Sequence, residues 1–306
     1  MIFNGERTAF GRHETFSLRY SWLPKGYQAL QKNSAVFTAE DATLVLGVGK
    51  NMVASIRYWL KACQIIDAES QLPTPVGELI FSSLYGLDPY LEDEATLWLL
   101  HWLLATNPEQ ATACYWFFNR YHKPEFNNIE LFTALSDFVS EELIKTKRPA
   151  QSTLKNDAQL ILRMYSQTKA SARSPLEETL DSPLSELRLI AQVSGGQRYL
   201  SRPDARLSLP IEILGFAVLQ LFQAKQVTAL PIEDLMYVRD NFCAPGAVFR
   251  LSESGLITKL EQLVECYPEQ FAIRDTAGIH QFFALQKIKP LDLLKAYYAD
   301  KAGVAA

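Results

Sequence analysis

The stretch that most constrains the fold is a bend formed by Gly47, Val48 and Gly49, between two segments with helical patterns. Two glycines within three residues favour a tight turn, because glycine adopts left-handed backbone angles without a steric penalty. Before the bend, Thr38 is predicted to be the N-cap of a short helix, with Asp41 completing a capping box. The apolar side of this short helix is predicted to comprise Ala42, Leu44, Val45 and Leu46. The bend is therefore expected to join one short helix to another.

After the bend, apolar residues recur every three or four positions, which predicts a second helix with one buried stripe. The stripe comprises Met52, Val53, Ile56, Trp59, Leu60 and Cys63. The polar residues that avoid it are Lys50, Asn51, Ser55, Arg57 and Lys61. A short glycine turn followed by a helix with a basic outer face is typical of a helix-turn-helix, whose second helix binds DNA. The alternative is a helical core segment that carries surface lysines.

A short strand and a polar tip follow the second helix, and Thr74 and Pro75 return the chain to another helix. This order is typical of the winged form of the motif. It recurs over residues 132–200, where Gly195 and Gly196 favour a hairpin with flanks at 185–190 and 197–200. A more acidic version, with a hairpin over residues 271–284, follows.

We therefore predict a mainly α fold with small β-hairpins, organised as tandem winged helix-turn-helix domains linked by aromatic-rich helices. Residues 1–125 are predicted to hold an N-terminal arm, the first winged-helix domain and a helical segment. Residues 126–225 are predicted to form a second winged-helix-like domain. A third, smaller one is predicted over residues 226–306. One apolar segment, residues 96–105, is predicted to be a deeply buried helix.

The second predicted unit contains its own basic connection. Between Ile144 and Asn156 there are four basic residues and no acidic one. Ser152 is predicted to cap the helix that follows. The residues expected to hold a second stretch of DNA backbone are Lys145, Lys147, Arg148, Ser152 and Lys155.

The overall charge limits how such a protein could bind DNA. The formal net charge is −4 and the pI is about 5.7, which argues against coating nucleic acid through bulk positive charge. Any DNA contact must come from local basic surfaces.

The cysteines and the apolar segments bear on the cellular compartment expected for the protein. The four cysteines, Cys63, Cys114, Cys243 and Cys266, are widely spaced among apolar neighbours. They are therefore predicted to be reduced, buried residues of a cytoplasmic protein. The N-terminus lacks a signal-peptide pattern, and no run reaches the roughly 18 apolar residues of a membrane span, so no membrane is expected among the partners.

A dense polar group lies near the N-terminus, among aromatic residues. Arg12, His13, Glu14 and Arg19 either bind phosphate or lock the N-terminal arm onto the first domain. His13 and Glu14 are also the candidate catalytic residues for phosphodiester cleavage, as a base and a metal-capable carboxylate. The alternative acidic group is the turn with Asp88, Glu92, Asp93 and Glu94, which also suits the start of a helix.

Three stretches together resemble a bacterial family with an uncharacterised domain. They are residues 11–23, residues 46–59 and residues 86–102. Members of that family accompany phosphoadenosine-phosphosulfate-reductase-like sulfurtransferases in single-strand DNA phosphorothioation (Ssp) defence systems. Arg12 departs from the family pattern, in which histidine directly follows the glycine.

The resemblance implies a DNA-nicking endonuclease that opens one strand for sulfur incorporation. Its partners would be DNA, a cysteine desulfurase, an ATPase and the sulfurtransferase. A nickase would use Mg²⁺ or Mn²⁺, and otherwise no cofactor is expected. The alternatives are a non-enzymatic DNA-binding adaptor of the sulfurtransferase complex and a winged-helix transcription regulator.

Overall fold

The computed structural model describes residues 2–167, 182–193, 196–276, 278–286 and 288–304. These residues group into two compact units. The larger unit consists of the described residues within Asn4–Phe117 and Tyr121–Arg202. The smaller unit consists of those within Met1–Phe3, Phe118–Arg120 and Pro203–Ala306.

The larger unit is mainly helical. Its helices are α1 (Trp22–Lys32), α2 (Ala42–Leu46), α3 (Lys50–Ala62), α4 (Pro75–Phe81), α5 (Glu94–Ala105), the start of α6 (Thr112–Asn119), α7 (Asn128–Glu142) and α8 (Gln151–Tyr165). Short 3₁₀ helices span Lys145–Lys147 and Pro183–Leu187. The strands β1 (Glu125–Asn127), β2 (Ala191–Gln192) and β3 (Arg198–Leu200) form a small antiparallel sheet with β3 in the centre.

The core of the larger unit is built around α5. Every residue from Ala95 to Ala105 is buried, which confirms the prediction for this apolar segment. His101 lies within it, and its Nδ1 is 2.8 Å from the hydroxyl oxygen of Tyr165. A polar group at this depth needs such a partner, because losing water without a replacement hydrogen bond is unfavourable.

The smaller unit packs helices against a second antiparallel sheet. Its helices are α9 (Ile211–Lys225), α10 (Ile232–Met236), α11 (Pro245–Val248), α12 (Glu253–Cys266) and α13 (Pro290–Val304). Its strands are β4 (Ala229–Pro231), β5 (Phe271–Thr276) and β6 (Ile279–Ala284), with β6 in the centre. Phe271 pairs with Ala284, so the hairpin predicted over residues 271–284 is confirmed.

The mainly α architecture with small β-hairpins is confirmed, but the tandem winged helix-turn-helix arrangement is not. In the first predicted winged-helix domain, the wing is reduced to one antiparallel bridge between Ile66 and Pro73. In the second predicted domain, β2 and β3 do pair antiparallel on either side of the predicted turn, but residues 185–187 belong to a 3₁₀ helix and β2 begins only at Ala191. Gly195 of the predicted turn lies outside the described residues. The three-domain division stays a prediction.

The start of α2 also differs from the prediction. Asp41, not Thr38, is the N-cap, and its side chain makes no capping hydrogen bond. Thr38 instead donates its hydroxyl to the carbonyl of Ala35. Leu44 is 82% exposed and Val45 is 53% exposed, so only Ala42 and Leu46 of the predicted apolar side face the core. A five-residue helix has too few turns to bury a continuous stripe.

Three of the four cysteines are buried as predicted. Cys266 is exposed, contrary to the prediction, because it lies at the end of α12. All four are free thiols. Burial raises the pKa of the Cys63 and Cys114 thiols well above their ordinary range, so both stay protonated and unreactive.

Candidate nucleic-acid interface

The predicted bend joins two helices as expected. Helix α2 ends at Leu46, and Gly47 adopts the left-handed conformation with φ of 61°. Gly49 is the N-cap of α3, with φ of −66° and ψ of 161°, and offers no side-chain acceptor to the first turn. The helix pair therefore exists, and the backbone N–H groups that begin α3 have no side-chain cap.

The apolar stripe of α3 packs inward as predicted. Ile56, Trp59 and Leu60 are fully buried, and Val53 is 6% exposed. Met52 is only half-buried. This stripe fixes the 13-residue helix against the rest of the larger unit.

A broad groove of about 900 Å³ lies beside α3 in the larger unit. Four basic residues line it, namely Arg12, Lys50, Arg57 and Lys61. Three acidic residues also line it, namely Glu14, Glu40 and Glu109. The groove thus brings residues of the N-terminal arm together with the start and the middle of α3.

Two of the groove cations, Arg12 and Lys50, are available to a ligand. Arg12 and Lys50 are exposed. Within the described part of the chain, neither side chain has a hydrogen-bond or ion-pair partner. Asn51 is also exposed and unpartnered among these residues.

Arg57 and Lys61 were predicted to project freely from α3, but in the structure both contact other parts of the chain. Arg57 donates from Nε and Nη2 to Oε1 of Gln71 at 2.9 and 2.6 Å. Lys61 donates from Nζ to the carbonyl of Ala68 at 3.0 Å. Both residues hold the loop over residues 67–72, which contains the predicted wing tip at residues 68–72, against α3. Partial burial, followed by the neighbouring Arg57 charge, lowers the pKa of Lys61. Their role in DNA binding stays a prediction.

Ser55 does not belong to the outer face. It is fully buried, and its hydroxyl donates to the carbonyl of His13 at 3.1 Å. The prediction that Ser55 contacts DNA is therefore wrong, because the side chain of Ser55 faces the N-terminal arm.

His13 is part of a buried polar contact. Its Nε2 lies 2.5 Å from Oδ1 of Asp157, and each side chain is only 3% exposed. Its Nδ1 accepts the backbone N–H of Thr15 at 3.1 Å, so the ring hydrogen lies on Nε2. Asp157 also accepts the backbone N–H of Gly11 at 3.1 Å. Both ring nitrogens are therefore occupied within the chain, which favours a locking role for His13 over a catalytic one.

Glu14 and Arg19 take different positions from His13. Glu14 is exposed, has φ of 51° and lines the groove next to Arg12. The guanidinium of Arg19 instead lies 5.2 Å from the ring centre of Trp22, and Arg19 is not among the groove residues. The structure brings Glu14 to the groove and places Arg19 just before α1, against the ring of Trp22.

In the second basic stretch, two cations bind backbone carbonyls of the protein and two are exposed. Lys147 donates to the carbonyl of Glu6. Arg148 donates to the carbonyls of Ser140 and Leu143, which satisfies acceptors at the end of α7. Lys145 and Lys155 are exposed, and neither has a partner in the described part of the chain. Ser152 does not cap α8, because the N-cap is Ala150.

The alternative acidic turn has a structural role. Asp88 is 5% exposed. It accepts the N–H groups of Glu92 and Asp93, and the hydroxyl of Thr96. Asp93 caps α5 by accepting the N–H of Ala95. Asp88 and Asp93 therefore accept hydrogen bonds around the start of α5, which agrees with the prediction that this acidic turn suits the start of a helix.

Asp157, the partner of His13, was not predicted as a functional residue from the sequence. A signal was present, because Asp157 lies three residues after Leu154 and four before Ile161, on the apolar stripe of α8. A carboxylate in a buried helical register needs a polar partner. The partner could not be named from the sequence, because the two residues are separated by 144 positions.

No group of three His, Cys, Asp or Glu side chains within the described residues could hold a metal ion. Magnesium is usually held by one or two carboxylates together with waters and substrate phosphates.

The chain belongs to the family described as a protein of unknown function (DUF4007), whose model matches residues 10–298. It is similar to the crystal structure of SspB, with 28% identity and a TM-score of 0.81 over 95% of this chain and 88% of that chain. It is equally similar to a magnesium ion-bound crystal structure of SspB, with 27% identity and a TM-score of 0.81 over 96% of this chain and 90% of that one. No curated protein matches the chain. The resemblance inferred from the three motif stretches is confirmed.

None of the helices in the described ranges is long and apolar enough to cross a membrane.

Proposed function

We propose that this protein is a DNA-binding component of a bacterial DNA phosphorothioation system, and that it nicks one strand to allow sulfur incorporation. The likeness to SspB over nearly the whole chain supports the assignment to such a system. One observation carries the DNA-binding part: the unpaired Arg12 and Lys50 line the same groove, and Lys50 is the first residue of α3, whose N-cap supplies no side-chain acceptor.

The start of α3 suits a phosphate group. The first N–H groups of a helix lack intrahelical acceptors, and the helix dipole favours negative charge at that end. Lys50 adds a full positive charge at the first position of this helix. A phosphate held there would therefore receive both backbone hydrogen bonds and a charge contact.

The space around the bend supports the same contact. A Cβ added to Gly49 would meet no atom within 4 Å, and the backbone angles of Gly49 are open to any residue. The fold itself therefore does not require glycine at this position. A glycine here leaves the backbone open to the close approach of a DNA phosphate.

Glu14 is the residue we assign to strand cleavage, in place of the buried His13. It lies on the groove with Arg12, so a phosphate held by the arginine would lie close to a carboxylate. A bound Mg²⁺ or Mn²⁺ would supply Lewis-acid stabilisation of the phosphate oxygens. In the cell the partners would be the cysteine desulfurase, the ATPase and the sulfurtransferase of the same system.

The nicking part is tested with supercoiled plasmid, with Mg²⁺, with Mn²⁺ and with EDTA. We expect metal-dependent open-circular product, lost in Glu14→Gln and retained in the control Glu141→Gln, an exposed carboxylate on α7. Intact plasmid despite tight DNA binding would contradict nicking. It would favour a non-enzymatic adaptor of the sulfurtransferase complex.

A further inference from the structure

Two adjoining pockets in the larger unit lie apart from the residues that form the groove. The first has a volume of about 290 Å³ and is lined by residues of α7, α8 and the edge of the small sheet. The second has a volume of about 300 Å³ and lies between α7 and α8. Three residues line both pockets, namely Asn128, Gln159 and Leu162. The two volumes lie near the lower end of the range for small-ligand sites, about 300–1,000 Å³.

The first pocket combines amide groups, an aromatic ring and a cation. Its polar lining includes Asn128, Gln159, Gln167, Gln192, Ser166, Arg163 and Tyr199. Each amide offers both a donor and an acceptor, which is what the hydrogen-bonding edge of a nucleobase requires. No carboxylate is among the described residues that line either pocket, so nothing in the described lining repels a phosphate by its charge.

Tyr199 provides a fixed stacking surface in this pocket. It belongs to β3, and its ring is stacked on Phe126 of β1, with the centroids 6.1 Å apart and an angle of 22° between the planes. Burial raises the pKa of the Tyr199 phenol, so the ring stays neutral. A rigid aromatic ring of this kind is what proteins that bind single strands place against bases.

The second pocket extends the first with apolar contacts and a further cation. Phe132 and Ala158 line it, and Ile129, which is 75% exposed, stands at its edge. Lys155 also lines it and is exposed to solvent. A base with one face against apolar side chains and its phosphate near a lysine fits such a surface.

The pockets and the groove are connected through α8 and the N-terminal arm. Arg163 lines the first pocket and donates from Nη2 to the carbonyl of Thr15. Thr15 follows Glu14, which lines the groove. On the same helix, Asp157 binds His13, and the helical rise places Asp157 and Arg163 about 9 Å apart along the axis. Adjacent residues of the N-terminal arm, Glu14 and Thr15, thus link the groove to the first pocket.

We propose that the paired pockets of α7 and α8 hold unstacked bases of single-stranded DNA, with Arg163 and Lys155 beside the phosphates. The proposal rests on the proposed function, because it assigns to these pockets the bases of the same DNA that the groove binds. Nicking and sulfur insertion act on a backbone that must be exposed, and a protein that holds unstacked bases would keep it so.

The test uses the full chain and single-stranded oligonucleotides that carry one 2-aminopurine, whose fluorescence falls on stacking. The wild type is expected to quench the probe. Tyr199→Ala is expected to abolish the quenching and weaken single-strand binding about tenfold, because it removes one stacking contact. Tyr199→Phe, which keeps the ring, is expected to behave as the wild type. Duplex binding should be equal in all three.

A second variant avoids the sheet and keeps the test valid if Tyr199→Ala fails to fold. Gln159 is exposed on α8, so Gln159→Glu leaves the core intact while adding a negative charge to both pockets. Single-strand affinity is expected to fall severalfold, whereas Gln31→Glu, an exposed control on α1, should leave it unchanged.

The outcomes separate the two proposals. If duplex and single strands bind and Lys50→Ala weakens both, but Tyr199→Ala and Gln159→Glu leave the single-strand affinity unchanged, only the pocket proposal fails. If the wild type binds no DNA, both proposals fail. Saturable binding of free dAMP without quenching in an oligonucleotide would show a mononucleotide site and overturn the assignment to a DNA strand.

Discussion

Nε2 of His13 lies 2.5 Å from Oδ1 of Asp157, and both side chains are almost completely buried. The contact joins the N-terminal arm to α8, and the N–H of Gly11 on the same carboxylate strengthens the link. The arm carries Arg12 and Glu14 to the groove on either side of the buried histidine. The position of two groove residues thus depends on a contact that no solvent reaches.

The structural role of His13 predicts a loss of stability on substitution. His13→Ala leaves Asp157 buried without its side-chain partner, so the free energy of unfolding is expected to fall by about 3 kcal/mol or more. Asp157→Asn keeps an acceptor for Gly11 and is expected to lose less, about 1–2 kcal/mol. Urea denaturation measures both. A His13→Ala protein that is as stable as the wild type but cannot nick DNA would restore the catalytic interpretation.

The two glycines of the bend predict opposite outcomes. Gly47 has a positive φ, so Gly47→Ala is expected to lower the free energy of unfolding by about 1–2 kcal/mol. Gly49→Ser supplies a better N-cap and is expected to raise it by a few tenths of a kcal/mol. The serine hydroxyl would also occupy the N–H groups assigned to a phosphate, so DNA affinity should fall although stability rises. Paired urea and DNA titrations check this. Unchanged affinity in Gly49→Ser would remove the helix start from the DNA site.

Lys259 predicts a pH dependence of stability. It is 6% exposed, and Nζ donates to the carbonyl of Leu209 at 2.6 Å. Burial lowers the pKa of Lys259 from 10.5. Between the lowered folded pKa and 10.5 the unfolded chain binds more protons, so the free energy of unfolding rises with pH across that window.

The comparison variant is Lys259→Met, which cannot titrate. The stability of the wild type relative to Lys259→Met is expected to increase as the pH is raised towards 10.5, as measured by urea denaturation. The exposed Lys295→Met on α13 should show no such trend. A difference that stays constant or decreases with pH would mean that burial does not perturb Lys259.

Because Arg57 holds the loop over residues 67–72, removing this contact is expected to loosen the loop without lowering the global stability of the protein. Gln71→Ala removes the acceptor of both Arg57 hydrogen bonds. Residues 67–72 should then exchange amide hydrogens and be cleaved by proteases faster, while the midpoint of global unfolding stays nearly unchanged. Leu72→Ala, which changes an exposed side chain of the same loop, serves as the control. Equal protection in Gln71→Ala and the wild type would show that the arginine does not fix the loop.

Patterns within one helix were the predictable part of this molecule. The stripe on α3 and the apolar run of α5 follow from a spacing that depends only on helix geometry. The left-handed bend at Gly47 follows from the residue type. Each of these features is decided by neighbours a few positions away, so the sequence alone was sufficient.

The predictions that the structure does not confirm concern contacts with residues that are distant in the sequence. Ser55 fits the polar face of α3 by its type, but the N-terminal arm covers it through the carbonyl of His13. Arg57 and Lys61 fit a free basic face until a loop returns over them. The winged form is not confirmed for a related reason, because strand pairing depends on partners that local propensity does not specify. Of the predicted DNA-binding residues on α3, Lys50 and Asn51 remain exposed and unpartnered in the described structure.

The most direct test of the account is the salt dependence of DNA binding, measured by filter binding with the wild type, Lys50→Ala and Arg12→Ala. Lys295→Ala, an exposed lysine of the smaller unit, is the control. If the groove holds the DNA backbone, each groove variant binds more weakly across all sequences, and its slope of log affinity against log salt falls by about 1. Asn51→Ala should instead alter sequence preference. Unchanged affinity and slope in both groove variants would contradict the assignment of the groove to DNA.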